Sequence, residues 1–265
     1  MKTKVLKIDT SDTELSCLQE AASVIDAGGL VAFPTETVYG IACRANSRSL
    51  ERLNQVKQRP ANRPYSLHIG DKNLIRQYIP RMNLKTLKLL EMAWPGALTI
   101  VFNLSTQDMH KQLAQLGADT VESLYQGTSI GVRCPDSPAA STLLRLTKSP
   151  VVAPSANQSG EAPLTDPEEV LKAFDGQIDL LVDAGPCQIG QSSTVAKVNA
   201  HGIEILREGA LSLEQLEAFA CVRILFVCTG NTCRSAMAEG ICRDSLLQKL
   251  GCKDVDALAR MGYIV

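Results

Sequence analysis

A chain of 265 residues, 45% hydrophobic, 21% charged and with a formal net charge of −1, is long enough for one large domain or one and a half ordinary ones. Its composition is that of a soluble globular protein. Only 4% of it is aromatic, so burial rests on aliphatic side chains, and its nine cysteines (17, 43, 134, 187, 221, 228, 233, 242, 252) are an odd set without a zinc-knuckle pair. That pattern points to free thiols in a reducing compartment. The N-terminal residues 1–7 lack the apolar core of a signal peptide, and no run approaches the roughly 18 apolar residues of a membrane span, so a cytoplasmic protein is expected.

Taken in chain order, short aliphatic runs alternate with amphipathic segments. Residues 5–8 read as a strand and 13–26 as a helix closed by Gly28-Gly29; 30–33 form a buried strand ending at Pro34, and 47–57 a helix stopped by Pro60. A strand is expected over 65–69 and helices over 71–78 and 83–92, the second closed by Trp94-Pro95-Gly96. Strands at 98–103, 130–133 and 151–153 follow, with a helix over 138–146 between the last two. Asp166-Pro167-Glu168-Glu169 joins an N-cap, a proline at the first helical position and an acid three residues on, so a helix starts there and runs to Phe174. Strands at 180–182, 194–198 and 203–207 come next, then a helix from the Ser212 cap to Ala220, a strand over 223–227 and a helix over 235–250. Strands and helices alternate throughout, which makes an α/β fold the economical one: a twisted mixed sheet with helices on its faces, plus a C-terminal partial βα phosphate-loop unit. The most plausible seam lies between Gly209 and Cys221.

Charge is sorted along the chain. From Arg44 to Lys88 there are eleven Lys or Arg against Glu51 and Asp71, whereas Glu161 to Asp183 holds seven acids against Lys172. Two readings stand: solvated helix faces, or an anion site for a polyphosphate or an RNA backbone.

Four clusters are richer in polar and special-backbone residues than a fold requires. Pro34-Thr35-Glu36-Thr37-Val38-Tyr39-Gly40 is a strand end running into a turn dense with hydroxyls, where Thr35 and Thr37 could simply satisfy backbone groups. Lys57-Gln58-Arg59-Pro60-Ala61-Asn62-Arg63-Pro64 displays three cations on a loop stiffened by two prolines, which suits a polyphosphate as well as an ordinary basic loop. Ala153-Pro154-Ser155-Ala156-Asn157-Gln158-Ser159-Gly160 follows a strand with small hydrogen-bonding residues, a loop over which a substrate could approach the backbone closely. The fourth joins Gly190-Gln191-Ser192-Ser193-Thr194 to Leu206-Arg207-Glu208-Gly209.

Read together, these clusters, with Trp94-Pro95-Gly96-x-Leu98-Thr99 and Val132-Arg133-x-Pro135, make residues from about 5 to 210 resemble the YrdC family of threonylcarbamoyl-AMP synthases. Any one of them alone is a weak signal, and their order along the chain carries the resemblance. It implies a nucleotidyltransferase that converts L-threonine, bicarbonate and ATP to threonylcarbamoyl-AMP and pyrophosphate. It also implies tRNA and the tRNA-threonylcarbamoyl transferase machinery as partners, and Mg2+ arriving with the nucleotide. By the same resemblance Lys57, Arg59, Ser155 and Asn157 form a central polar tetrad. Arg63, Ser129, Pro163 and Arg207 join Lys57, Arg59 and Ser155 around ATP, and Thr37, His68, Arg133, Ala153 and Ser193 hold threonine, with Arg133 facing its carboxylate. His68 by itself, a lone histidine near a strand, reads as a packed side chain; the family position makes it a ligand residue. The alternative is an RNA- or tRNA-binding module without catalysis. The chain departs from the family pattern at Arg63, where an asparagine or similar residue is usual; at Tyr65, where leucine follows the proline; and at Ser192 and Glu208.

Near the end, Val227-Cys228-Thr229-Gly230-Asn231-Thr232-Cys233-Arg234-Ser235 is a cysteine-based phosphate loop that resembles the signature of low-molecular-weight protein tyrosine phosphatases. Backbone N–H groups and the Arg234 fork would ring a phosphate, with Cys228 beneath as nucleophile and its thiolate favoured by those dipoles. That family needs an Asp-Pro general acid downstream, and Asp244, Asp254 and Asp256 all lack the proline. The expected organisation is therefore a synthase domain over 1–210, a connecting helix over 211–220 and, over 221–265, a truncated phosphatase-like unit too small to bury a core alone. Cys228, Arg234 and Ser235 are read as a remnant phosphate loop from which turnover is not expected, a low-molecular-weight protein tyrosine phosphatase with an incomplete domain being the lesser alternative, and the apolar residues of 257–265 are left without an evident partner.

Overall fold

The computed structural model describes residues 2–8, 11–60, 63–199 and 202–265; Ala61 and Asn62 of the basic loop therefore lie outside the described residues. Strands β1 (Lys4–Lys7), β2 (Val31–Pro34), β3 (Tyr39–Arg44), β4 (Ser66–His68), β5 (Leu98–Asn103), β6 (Ser129–Arg133), β7 (Val151–Val152), β8 (Leu180–Asp183), β9 (Thr194–Asn199) and β10 (Gly202–Arg207) form one mixed sheet in the order β1-β8-β2-β3-β7-β4-β6-β5-β9-β10. Parallel pairing joins β1 to β8, β8 to β2, β4 to β6 and β5 to β9, and the other neighbours run antiparallel.

Helices cover both faces, because the strands are apolar on both. Along β2 the side chains of Val31 and Phe33 join one buried cluster, with Ala32 in the other, as the two-residue period of a strand demands. The first cluster is closed by Leu18, Ala21 and Ile25 of α1 (Ser11–Asp26) and by Ala140 and Leu143 of α7 (Pro138–Leu146). The second takes Leu53 of α2 (Ser47–Lys57), Ile75 of α3 (Ile75–Tyr78), Leu89 of α4 (Leu84–Ala93), Val121 of α6 (Ala118–Leu124), Phe174 of α8 (Pro167–Phe174) and Leu216 of α9 (Leu213–Ala220). Helix α5 (Thr106–Leu116) precedes α6, separated from it by Gly117 at φ +80°.

The sequence-based expectations hold for most of these elements, including the Asp166 and Ser212 caps, whose side chains accept from Glu168 N and Gln215 N. Three segments differ. Residues 39–44 are a strand rather than part of the turn: β3 is buried on both faces and contains Gly40, so it carries neither alternation nor β-branched density. Helices α5 and α6 fill a stretch that had no assignment. The expected strand over 223–227 shortens to β11 (Val222–Arg223), leaving Leu225 and Val227 more than four-fifths exposed, since beyond Ile224 no backbone partner extends the ladder among the described residues.

The C-terminal residues, expected to lack a partner, have one. After α10 (Arg234–Leu250) and α11 (Val255–Arg260), β12 (Tyr263–Ile264) pairs parallel with β11 in a separate two-stranded sheet. Leu258 is buried, and Lys85 of α4 lies over the Tyr263 ring with Nζ 5.8 Å from its centroid.

Part of the basic stretch is paired within the fold, in one case with the acidic stretch. Arg52 pairs with Asp179 at 2.6 Å, Arg81 with Asp108 at 2.9 Å and Lys88 with Glu91 at 2.9 Å, while Arg44 donates to the Asp26 carbonyl at 3.0 Å.

Gly209 marks where the chain leaves the sheet, and a Cβ there would stand 2.4 Å from both Ser192 O and Thr194 N. Those are backbone atoms with nowhere to move. Gly209→Ala is expected to destabilise by about 1–3 kcal/mol, read as a lowered urea midpoint with an unchanged m-value.

Candidate active site

The ends of β2, β4, β6 and β7 and the starts of β3 and β9 converge on a cleft of about 400 Å3. Arg59, His68, Ser129, Arg133, Ala153, Ser155, Ser193 and Arg207 line it together with Thr35, Tyr39, Tyr65 and Thr99. Eight of the residues singled out from sequence therefore share one surface.

Arg133 ends β6 beside His68, its register partner on β4. Its Nη2 donates to Glu36 Oε1 and to Thr37 Oγ1, each at 2.7 Å, and the pair is buried, with Arg133 6% and Glu36 7% exposed. The other carboxylate oxygen of Glu36 accepts from Asp136 N at 3.0 Å, just ahead of α7. The hydroxyl directions are fixed by elimination. Thr35 Oγ1 donates to the Val38 carbonyl at 2.7 Å, so across their 2.8 Å contact Thr37 is the donor to Thr35, and the Thr37 lone pairs are left to accept from Arg133. Arg133 Nε is buried without a partner, an incompletely satisfied donor on a residue of the cleft wall.

His68 Nδ1 lies 3.0 Å from the Ser66 carbonyl. A carbonyl only accepts, so Nδ1 carries the proton and Nε2 offers a lone pair. Burial and then the neighbouring Arg133 cation push the His68 pKa down to about 3. The imidazole is neutral throughout the physiological range.

Lys57, at the end of α2, is buried behind the cleft wall rather than on it. Its Nζ donates to the carbonyls of Ser155 (2.5 Å) and Asn157, and burial, followed by the Arg59 charge, lowers its pKa to about 8. Ser155 Oγ donates to Asn157 Oδ1 at 2.5 Å, and Asn157 Nδ2 donates to the carbonyls of Gln158 (2.7 Å) and Glu161 (2.9 Å). Three members of the expected tetrad are thus one hydrogen-bonded unit that shapes the 155–161 loop, and Arg59 stands in front of it on the cleft.

On the opposite wall Arg207 Nη2 donates to Ser193 O at 2.6 Å and to Ser193 Oγ at 3.2 Å, and Ser193 Oγ lies 3.1 Å from Thr99 Oγ1. Arg63 lines a neighbouring cleft that Arg59 also borders. Thr37 and Asn157 act from behind the wall, and Pro163 is half-buried on the segment whose next residue, Leu164, donates to Ala156 O and accepts from Tyr39 N. Sequence reasoning missed Glu36, although it sits inside a quoted motif: an acid among threonines gives no sign of which cation it will neutralise. Among the described residues no group of three or more His, Cys, Asp or Glu could hold a metal, so no step is assigned here to the Mg2+ expected with a nucleotide. No helix among the described residues is long and apolar enough to cross a membrane.

The phosphate loop is formed at the head of α10. Cys228 Sγ lies 3.1 Å from Ser235 Oγ and accepts from Asn231 N at 3.1 Å, and Ser235 Oγ lies 2.5 Å from Asn231 Oδ1, so the one hydroxyl proton is shared between sulfur and amide oxygen. The Ser235 side-chain contact, then backbone N–H groups, lower the Cys228 pKa to about 7. Arg234 is exposed.

Comparison with known proteins bears on both regions. The Sua5/YciO/YrdC family model, described as telomere recombination, matches residues 23–209, and the model for low molecular weight phosphotyrosine protein phosphatase matches residues 223–259. Threonylcarbamoyl-AMP synthase of Bacillus subtilis is 35% identical over 223 residues, covering 82% of this chain and 61% of that protein. The putative threonylcarbamoyl-AMP synthase of Methanocaldococcus jannaschii is 30% identical, covering 82% of this chain and 98% of that one. Among solved structures, Pyrococcus abyssi Sua5 complexed with L-threonine aligns with a TM-score of 0.68 at 30% identity, over 83% of this chain and 61% of that one. The chain thus spans about three fifths of the Bacillus and Pyrococcus relatives.

Two consequences are measurable. Removing the Glu36 charge strands a buried guanidinium, and Glu36→Leu is expected to lose about 3–5 kcal/mol in equilibrium unfolding. For His68 the sign follows from its lowered folded pKa. The unfolded chain takes up the proton below about pH 6.5 and the folded chain only near 3, so stability falls as pH drops through that window. Between about pH 6 and 4 the wild type should lose up to about 1.4 kcal/mol per pH unit more than His68→Gln.

Proposed function

The chain belongs to the Sua5/YciO/YrdC family, and from that membership we propose that it is an L-threonylcarbamoyladenylate synthase acting on L-threonine, bicarbonate and ATP. The observation that carries the proposal is a cleft wall that brings Arg133, oriented by Glu36 and Thr37, together with Arg59 and Arg207. A small carboxylate would answer the first, and a polyphosphate the other two.

In this reading Arg133, held by Glu36 and Thr37, takes the threonine carboxylate, and His68 Nε2 accepts from the ligand's hydroxyl or amine. Ala153 and Ser193 border the same end. The amine nitrogen bonds to the bicarbonate carbon with loss of water, giving a carbamate. A carbamate oxygen then bonds to the α-phosphorus as the bond from that phosphorus to the pyrophosphate oxygen breaks. Arg59, Arg63 and Arg207 stabilise the departing charge, while Lys57 with Ser155 and Asn157 fixes the loop against which the nucleotide lies, flanked by Ser129 and Pro163. A neutral His68 suits this chemistry, since an imidazolium would repel the ammonium form of the substrate. The product would supply the threonylcarbamoyl group for an adenosine of tRNA through a separate transferase.

We read residues 1–210 as the synthase unit, 211–220 as a connecting helix and 221–265 as a partial phosphatase-like βα unit. The separate two-stranded sheet supports that division. The test is pyrophosphate release from ATP that requires both threonine and bicarbonate and is lost, by at least about a hundredfold, in Lys57→Ala and Arg59→Ala. Release that persists without threonine sinks the proposal. Arg133→Lys, which cannot form the fork, should raise the threonine KM by about tenfold or more with little change in the KM for ATP.

A further inference from the structure

Arg59 is held without a carboxylate. Among the described residues no acid pairs with it. Its Nη2 donates to Pro64 O at 2.9 Å, its Nε is buried with no partner, and its guanidinium carbon sits 4.6 Å from the centroid of the Tyr65 ring. Tyr65 is itself immobilised: it is buried, and its hydroxyl donates to Asn54 Oδ1 of α2 at 2.5 Å.

The stack occupies a boundary. A second cleft of about 730 Å3, walled by α2 and α6, shares Arg59, Pro64, Tyr65, Leu124 and Gln126 with the main one and adds Arg63. The cation over the ring is therefore part of the partition between the two. An aromatic face attracts a guanidinium and leaves its N–H edge available, whereas a carboxylate partner would consume the donors that a phosphate needs. An aliphatic side chain at this position would supply no such attraction.

We propose that Tyr65 is a positioning residue whose ring holds Arg59 at the partition between the two clefts, with the free guanidinium edge presented to the polyphosphate of a nucleotide. The inference rests on the reading of the main cleft as a nucleotide site. It gives Tyr65 a role in the cleft, and it accounts for a cation that keeps its place without an acidic partner among the described residues. The hydroxyl secures the ring, and the ring secures the cation.

The experiment is calorimetric titration of the full chain with ATP and, separately, with inorganic triphosphate, alongside threonine-dependent pyrophosphate release. Tyr65→Leu and Tyr65→Met, both smaller than tyrosine, should each bind both probes about tenfold more weakly, with threonine KM close to wild type; both lower the thermal midpoint, so binding is read well below it, where each variant is folded. Tyr65→Phe, which keeps the ring, should restore affinity to within about threefold. Wild-type affinity in folded Tyr65→Leu or Tyr65→Met, or equal loss in Tyr65→Phe, overturns the proposal and leaves the synthase reading intact if pyrophosphate release persists. If the wild type binds triphosphate in this Tyr65-dependent way but releases no pyrophosphate with threonine, the positioning role stands and the synthase reading falls. A wild type that binds neither probe overturns the positioning role.

Discussion

The buried pair between Arg133 and Glu36 is the constraint on which the site depends. It joins the end of β6 to the turn between β2 and β3 and, through Asp136 N, to the entrance of α7. Taking both charges out of water is costly, and the geometry offsets that cost only because each remaining polar group around them is directed. Thr37 accepts from the guanidinium and donates to Thr35, which donates to the Val38 carbonyl. The hydroxyl-rich turn is therefore a relay that orients a cation, and it leaves the buried Nε donor unsatisfied.

Lys57 shows how a second charge is used without being displayed. Two backbone carbonyls of the 155–157 segment accept from its ammonium, so the loop after β7 is tied to the end of α2 across about a hundred residues of chain. Burial makes the ammonium easier to deprotonate, and the Arg59 charge adds to that. Arg59 is then free to be the displayed cation because Lys57 has taken the structural task. The pair divides labour that a sequence motif of two nearby cations leaves undivided.

That division explains what could be read from the residues and what could not. Proline, glycine and capping signals act locally, so the Asp166 and Ser212 helix starts and most strand positions were legible; the eight candidate residues that converge on one cleft were drawn together by the family resemblance and not by any local signal. Strand β3 was not, because a segment buried on both faces and holding Gly40 loses the alternation that marks a strand. The partner of Glu36 was not, because an ion pair spanning 97 positions leaves no local trace. The shift of Lys57 from the wall to its rear depends on which carbonyls face inward, a property of the assembled sheet.

The C-terminal phosphate loop follows the same physics with a different outcome. Contact with the Ser235 hydroxyl and successive backbone N–H groups lowers the Cys228 thiol pKa to about 7 from local geometry alone. Its packing is slight: a two-residue parallel pair and the buried Leu258 hold the unit, while Leu225 and Val227 stand exposed. Thiol activation needs only one turn of backbone, whereas a general acid must be carried in on a distant segment of a packed core. A well-formed loop is therefore weak evidence for turnover by itself, and the dispersed groups of the main cleft are the stronger guide to function.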